Sequence, residues 1–331
     1  MTLNRKSKPI SVCLFSIILI LLIVLVGCPD SPKFGVVDEI GRQGSGLGEL
    51  DRPHGLVLRD TDTSRTSSLV LFVADYGNNR IQLSRDDLEV VISDSGSGPG
   101  QLSGPKDIAI TQTLIFDRNR VRIPGRSLPD SMYIYVADTR NNRIQQFGLD
   151  GTFKRTWGSS GSDTGQFLSP TGIEVDFEGR VYVVDSGNHR IQVFDSDGNF
   201  LRMWGSQGSA SGEFNSPLDV TVGYRADTVV NFIAVSDHEN NRIQLFTSNG
   251  VFIRSFDNIP SPLGIDTQED RIDIVSSVAK KLFGVFLATN SQMREAPIPE
   301  TIDPYDVSAL YYVSDRGSGR VLFYFGSGVG L

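Results

Sequence analysis

The chain has 331 residues, 39% of them hydrophobic and 21% charged, which is enough for one large all-β domain or two smaller ones. Its 34 glycines follow no collagen-like period and so predict many tight turns. A net charge of −8 leaves none of the basic footprint that nucleic-acid binding requires, and nucleic acid is excluded as the expected partner.

The first element in the chain is an export signal. Arg5, Lys6 and Lys8 form a positive start, and residues 10–26 are apolar except for Ser11 and Ser16. Leu25, Val26, Gly27 and Cys28 close the run and resemble the lipobox of bacterial lipoproteins. That resemblance implies cleavage after residue 27 and lipidation of Cys28, with palmitate among the acyl groups. The alternative is an uncleaved anchor helix, since the run is long for a signal peptide and short for a span. Both readings place the rest of the chain on the extracytoplasmic face of a cell membrane. Residues 1–27 hold three positive and no negative side chains, so their loss takes the net charge from −8 to −11. Cys28 is then the sole cysteine, which excludes an internal disulfide, a thiolate zinc site and a cysteine nucleophile. Residues 28–33 read as a short tether and residues 34–331 as one domain.

That domain is built from a repeat. A β-rich run ending at Asp75 is followed by a polar turn, Tyr76 to Asn79, and then by Arg80, Ile81 and Gln82. The same sequence of events recurs at Asp138 and Arg143, at Asp185 and Arg190, at Asp237 and Arg242, and at Asp315 and Arg320. A degraded copy has Ser276 and Lys281 at the Asp and Arg positions. Each copy predicts a β-hairpin, because Asp and Asn bond nearby backbone and tolerate left-handed dihedrals. A second motif, a proline followed three residues later by an apolar residue, precedes each hairpin, at Pro53, Pro105, Pro170, Pro217, Pro262 and Pro304. A further strand closes several repeats, as at Trp157 and Trp204. Four short strands at a period of roughly 40–50 residues are the signature of a propeller blade. The expected fold is therefore all-β, a monomeric six-bladed propeller of four-stranded antiparallel blades. Extra residues at 59–68, 112–131 and 223–231 read as surface insertions.

These copies resemble NHL repeats over about residues 34–331. After Arg320 only one further strand fits, around 322–325. The missing outer strand is expected from residues 34–42, which would pair into the last blade and close the ring, burying two exposed strand edges.

The resemblance puts the proline motifs at the mouth of the central channel. Their second positions hold His54, Lys106, Thr171, Leu218, Leu263 and Tyr305; their third positions alternate as Gly55, Asp107, Gly172, Asp219, Gly264 and Asp306. His54, Lys106, Asp107, Asp219, Tyr305 and Asp306 are the candidate ligand residues. Three carboxylates on alternate blades have the chemistry to hold a hard cation such as calcium. The competing reading is that each Asp bonds backbone near its own blade. No other cofactor is expected. Histidine is scarce, with only His54, His189 and His238, so a three-His zinc site of the kind used by peptidyl-hydroxyglycine lyases is not expected. The repeated Asp and Arg are expected to serve the stacking of blades rather than catalysis. No nucleophile elbow, phosphate-binding glycine loop or His–Glu zinc motif is present. The sequence thus gives no reason to place the chain among the enzymes. It points to a lipid-anchored binding or scaffold propeller for an envelope protein, peptide or glycan, with a metal-dependent lyase or lactonase at the channel mouth as the alternative.

Overall fold

The computed structural model describes residues 36–40, 42–60, 69–85, 88–111, 132–224, 231–268, 271–276, 281–286, 293–297, 309–315 and 320–326. Cys28, the tether, Tyr305, Asp306 and most of the two longer insertions lie outside these residues. So does the sixth proline motif.

Alternating apolar residues bounded by Asp and Arg make the strands, and sequential strands pair antiparallel. The first sheet runs Pro53–Asp60, Leu69–Asp75, Arg80–Arg85 and Leu88–Ile92. The second runs Pro105–Ile110, Tyr133–Asp138, Arg143–Gly148 and Phe153–Trp157. The third comprises Pro170–Val175, Val181–Asp185, Arg190–Phe194 and Phe200–Trp204, and the fourth Pro217–Tyr224, Asn231–Asp237, Arg242–Thr247 and Phe252–Asp257. The fifth adds Pro262–Gln268, Arg271–Ser276, Lys281–Phe286 and Met293–Pro297. A three-stranded sheet places Arg320–Gly326 between Ala309–Asp315 and Val36–Ile40. In it Val36 to Ile40 run antiparallel to Tyr324 to Val321. The first strands of consecutive sheets lie side by side, from Pro53–Asp60 through Pro262–Gln268, and Ala309–Asp315 lies near Pro53–Asp60. This is an all-β propeller of four-stranded antiparallel blades.

The burial pattern follows from position in the blade. Second and third strands are covered on both faces, so Val181–Asp185 and Arg190–Phe194 are buried throughout. Outer strands have one wet face, and Phe200–Trp204 alternates accordingly. The core is a series of layers between neighbouring blades. Phe72, Ile81 and Ile92 of the first blade pack with Ile110, Ile134 and Phe147 of the second. Tyr182, Val184 and Ile191 of the third pack with Val222, Val235 and Phe246 of the fourth. Trp157 on the outer strand of the second blade leans on Phe194 of the third, centroids 5.9 Å apart, and Trp204 repeats the contact with Phe246 at 5.7 Å. Each indole lies over a turn glycine of the next blade. A Cβ on Gly198 would stand 2.8 Å from the Trp157 ring, at a φ of +82° that already favours glycine.

One insertion is shorter than its sequence suggests. Gly223 and Tyr224 continue the first strand of the fourth blade, pairing with Phe232 and Asn231, so the added residues lengthen a hairpin. The physical reason is that Val220, Val222 and Tyr224 keep a period-two alternation that carries the strand through Gly223.

Candidate functional site

Each hairpin turn of the first four blades holds a buried polar network. Asp185 is fully buried at the end of its strand. Its Oδ2 accepts from Arg190 Nε at 2.7 Å, Asn188 Nδ2 at 2.9 Å and Gln192 Nε2 at 3.0 Å, and its Oδ1 accepts the Leu168 N–H at 2.7 Å. Arg190 spends its remaining donors on the carbonyls of Ser162, Asp163 and Gln166 in the glycine-rich loop that enters the blade. The same constellation stands at Asp75 with Arg80, Asp138 with Arg143 and Asp237 with Arg242, with Arg Nε to carboxylate distances of 2.8, 2.7 and 2.7 Å. The repeated Asp and Arg therefore hold loops to blades. Asp315 and Arg320 face each other in register as the other pairs do.

The last turn residue performs a second task. Asn79, Asn142, His189 and Asn241 all have φ between 51° and 55°, the left-handed region that Asn tolerates. Their side chains reach to the next blade, where they accept the N–H of the residue before the proline: Gly104 at 2.8 Å, Ser169 at 2.8 Å, Ser216 at 3.1 Å and Ser261 at 2.8 Å. His189 does this through Nδ1, which assigns its ring proton to Nε2.

The proline motifs begin the innermost strands, on the same end of the blades as these turns, because Pro53, Pro105, Pro170 and Pro217 are register partners of Asp75, Asp138, Asp185 and Asp237. Asp107 and Asp219 are half-buried within the ring of inner strands. Each bonds forward by one blade. Asp107 Oδ2 accepts the Ile173 N–H at 2.9 Å, and Asp219 Oδ2 accepts the Ile265 N–H at 2.9 Å while its Oδ1 accepts from Val220 at 2.8 Å. The glycine that precedes each makes room: a Cβ on Gly55 would come within 2.6 Å of Asp107 Cα, and one on Gly172 within 2.7 Å of Asp219 Cα. The Gly–Asp alternation thus has a packing account.

Burial among protein raises both carboxyls. Asp107 is pushed well up by desolvation and then by the negative charge of Asp219. Asp219 is pushed up to about 7 by desolvation, against the lowering effect of its two backbone hydrogen bonds. The two carboxyls feel one another across the third blade. Thr171, between them in chain order, buries a hydroxyl with no hydrogen-bond partner. Among the described residues no group of three or more His, Cys, Asp or Glu side chains stands close enough to hold a metal ion.

His54 and Lys106 sit at the start of the first two inner strands. The His54 ring packs on Tyr76 with centroids 4.7 Å apart. Tyr76 also carries two guanidinium groups, Arg140 at 4.5 Å and Arg52 at 5.3 Å from its centroid. Reading the sequence did not find this cluster. Its signal is in the repeat: Arg52 stands where the later blades have Gly104, Ser169, Ser216 and Ser261.

Residues 167–194, spanning three strands of the third blade, match the family described as NHL repeat. A comparison with curated protein sequences returns no match. Among solved structures, the fold is similar to that in a nidogen/laminin complex at 17% identity, with a TM-score of 0.54 and 74% of this chain and 80% of that one covered. A streptogramin B lyase structure is similar at 16% identity and a TM-score of 0.54, covering 81% of this chain and 74% of that one. Virginiamycin B lyase from Staphylococcus aureus is similar at 14% identity and 0.53, covering 88% and 99%. At such identities the likeness concerns fold. The chain is a β-propeller of four-stranded antiparallel blades, one of which carries the NHL repeat match.

Proposed function

We propose that the chain is a lipid-anchored, extracytoplasmic binding propeller, six-bladed and closed by its N-terminal strand, that presents its loops to an envelope protein, peptide or glycan. The observation that carries this reading is the division of labour at the turn end. The repeated Asp, Asn, Arg and Gln side chains described there are committed to holding loops and neighbouring blades. Positions that differ between blades are left to meet a ligand, as expected of variable loops on a rigid scaffold. The pairing of Val36–Ile40 with Arg320–Gly326 supports the closure, and the run ending at Cys28 supports the anchor. The test is purification of the anchored chain from its own envelope, with identification of whatever is retained. If nothing is retained beyond what a blank resin holds, the binding reading fails.

A metal-dependent lyase or lactonase at the channel mouth is the second reading. Asp107 and Asp219 favour it, because two carboxyls with raised pKa values suit a general acid or a cation site. Calcium titration followed by thermal melting decides it: no shift at millimolar calcium, and no shift on adding chelator, removes the calcium form of this reading.

A further inference from the structure

We infer that Arg52, Tyr76 and Arg140 form a docking site for an extended acidic peptide segment of a partner protein. The inference rests on the binding reading above and names its chemistry. In a repeat protein the demands of the fold are common to all repeats, so departures that converge in space are the residues the fold did not ask for. Three such departures meet here. Arg52 precedes Pro53 with φ 48°, where the later blades keep Gly104 or a serine at φ 42° to 54°. A long side chain in that left-handed region costs free energy, and such strain persists where something else is gained. Tyr76 takes the first turn position, where Thr139 and Ser186 are buried and the Thr139 hydroxyl donates to the Pro170 carbonyl. Arg140 takes the next, where Gly77 and Gly187 stand in the first and third blades and Glu239, of opposite charge, in the fourth. Gly104 lets Arg140 cross to Tyr76, since a Cβ there would meet the Arg140 side chain at 2.9 Å.

The chemistry of the cluster is that of a carboxylate receptor. Both arginines are exposed. Both guanidinium groups lie within cation–π distance of one ring, which restrains two otherwise mobile side chains at one place. Among the described residues Arg52 pairs with the Asp51 carboxylate at 3.4 Å and Arg140 bonds Asn79 Oδ1 at 3.4 Å, both at the outer limit of a hydrogen bond and weak enough for a ligand carboxylate to compete. The chain as a whole is acidic at −8 and repels acidic ligands, so a local cationic pair would decide where one lands. The two guanidinium carbons lie within about 10 Å of each other. An extended peptide brings alternate side chains to one face roughly 7 Å apart, a spacing that falls within this limit.

The experiment uses the full chain and a fluorescein-labelled peptide alternating Glu and Ser, read by fluorescence anisotropy. R52S and R140G import the residues that other blades use, and thermal melting checks that each variant folds. Saturable binding is expected, weakening about tenfold in each variant and with rising salt. Arg155→Ser, at the blade rim, serves as the charge control and leaves binding unchanged. Absence of saturable binding, or equal affinity in wild type, R52S and R140G, overturns the site. Retention of one envelope component by both wild type and the R52S/R140G double variant also overturns it while leaving the binding reading intact. A component released by the double variant and displaced by the peptide supports it; displacement by oligogalacturonate alone overturns the peptide assignment.

Discussion

Replacing Asp185 by alanine tests the account of the blade network most directly. The carboxylate is fully buried and takes four donors, from Arg190, Asn188, Gln192 and the Leu168 backbone. Its removal strands the Arg190 charge, a side chain that is itself 10% exposed, in a site built around a negative partner. Breaking a buried pair from one side costs about 3–5 kcal/mol, because an uncompensated charge is left behind. The three carbonyls on Arg190 soften this toward the lower figure. In a domain of this size that is a fall of roughly 10 °C in Tm. Arg190→Met is expected to cost less, about 1–3 kcal/mol, since Asp185 keeps three N–H donors. The assay is urea and thermal unfolding of wild type, both single variants and the double variant. A cost for Asp185→Ala below about 1 kcal/mol, or one that is unchanged in the Arg190→Met background, would refute the view that the two act as one unit.

Three further expectations follow from the same geometry. Asp219 and Asp107 have folded-state pKa values above their unfolded ones, so the folded chain binds more protons between the two; the stabilisation present at low pH is lost as pH rises through about 7, and Tm should fall from about pH 5 to about pH 8. D107N/D219N should flatten that slope, and an unchanged slope by calorimetry refutes the assignment. Deleting residues through Ile40 removes a whole strand from the three-stranded sheet and should lower the melting temperature of the domain, with an unaltered melt counting against closure. His189→Ala should cost about 1 kcal/mol in urea unfolding through loss of the Ser216 bond, whereas His189→Asn, the residue used by the other turns, should cost little.

Much of this was legible from residue order. Asp, Asn and Arg at fixed offsets locate the hairpins because the turn needs a left-handed residue and a carboxylate close to the chain. Proline locates the inner strands. What residue order does not carry is the neighbour. The alternation of Gly55, Asp107, Gly172 and Asp219 reads as a ring of ligands until the next blade is in place, and then each Asp is seen to hold a backbone N–H. The Arg52, Tyr76 and Arg140 cluster is spread over two blades and long chain separations. It becomes visible when repeats are aligned and asked which of them breaks the rule.

The pairing of Val36–Ile40 with Arg320–Gly326 also sets a clock. One partner is among the first segments of the domain to be made and the other is among the last. At roughly 5–20 residues per second, the early strand waits on the order of half a minute for its mate. A nascent chain that stalls before Arg320 keeps that edge open, whatever its central blades have achieved. Completion of that sheet therefore reports that the chain has been made through Arg320–Gly326, and until then the early strand has an unpaired edge.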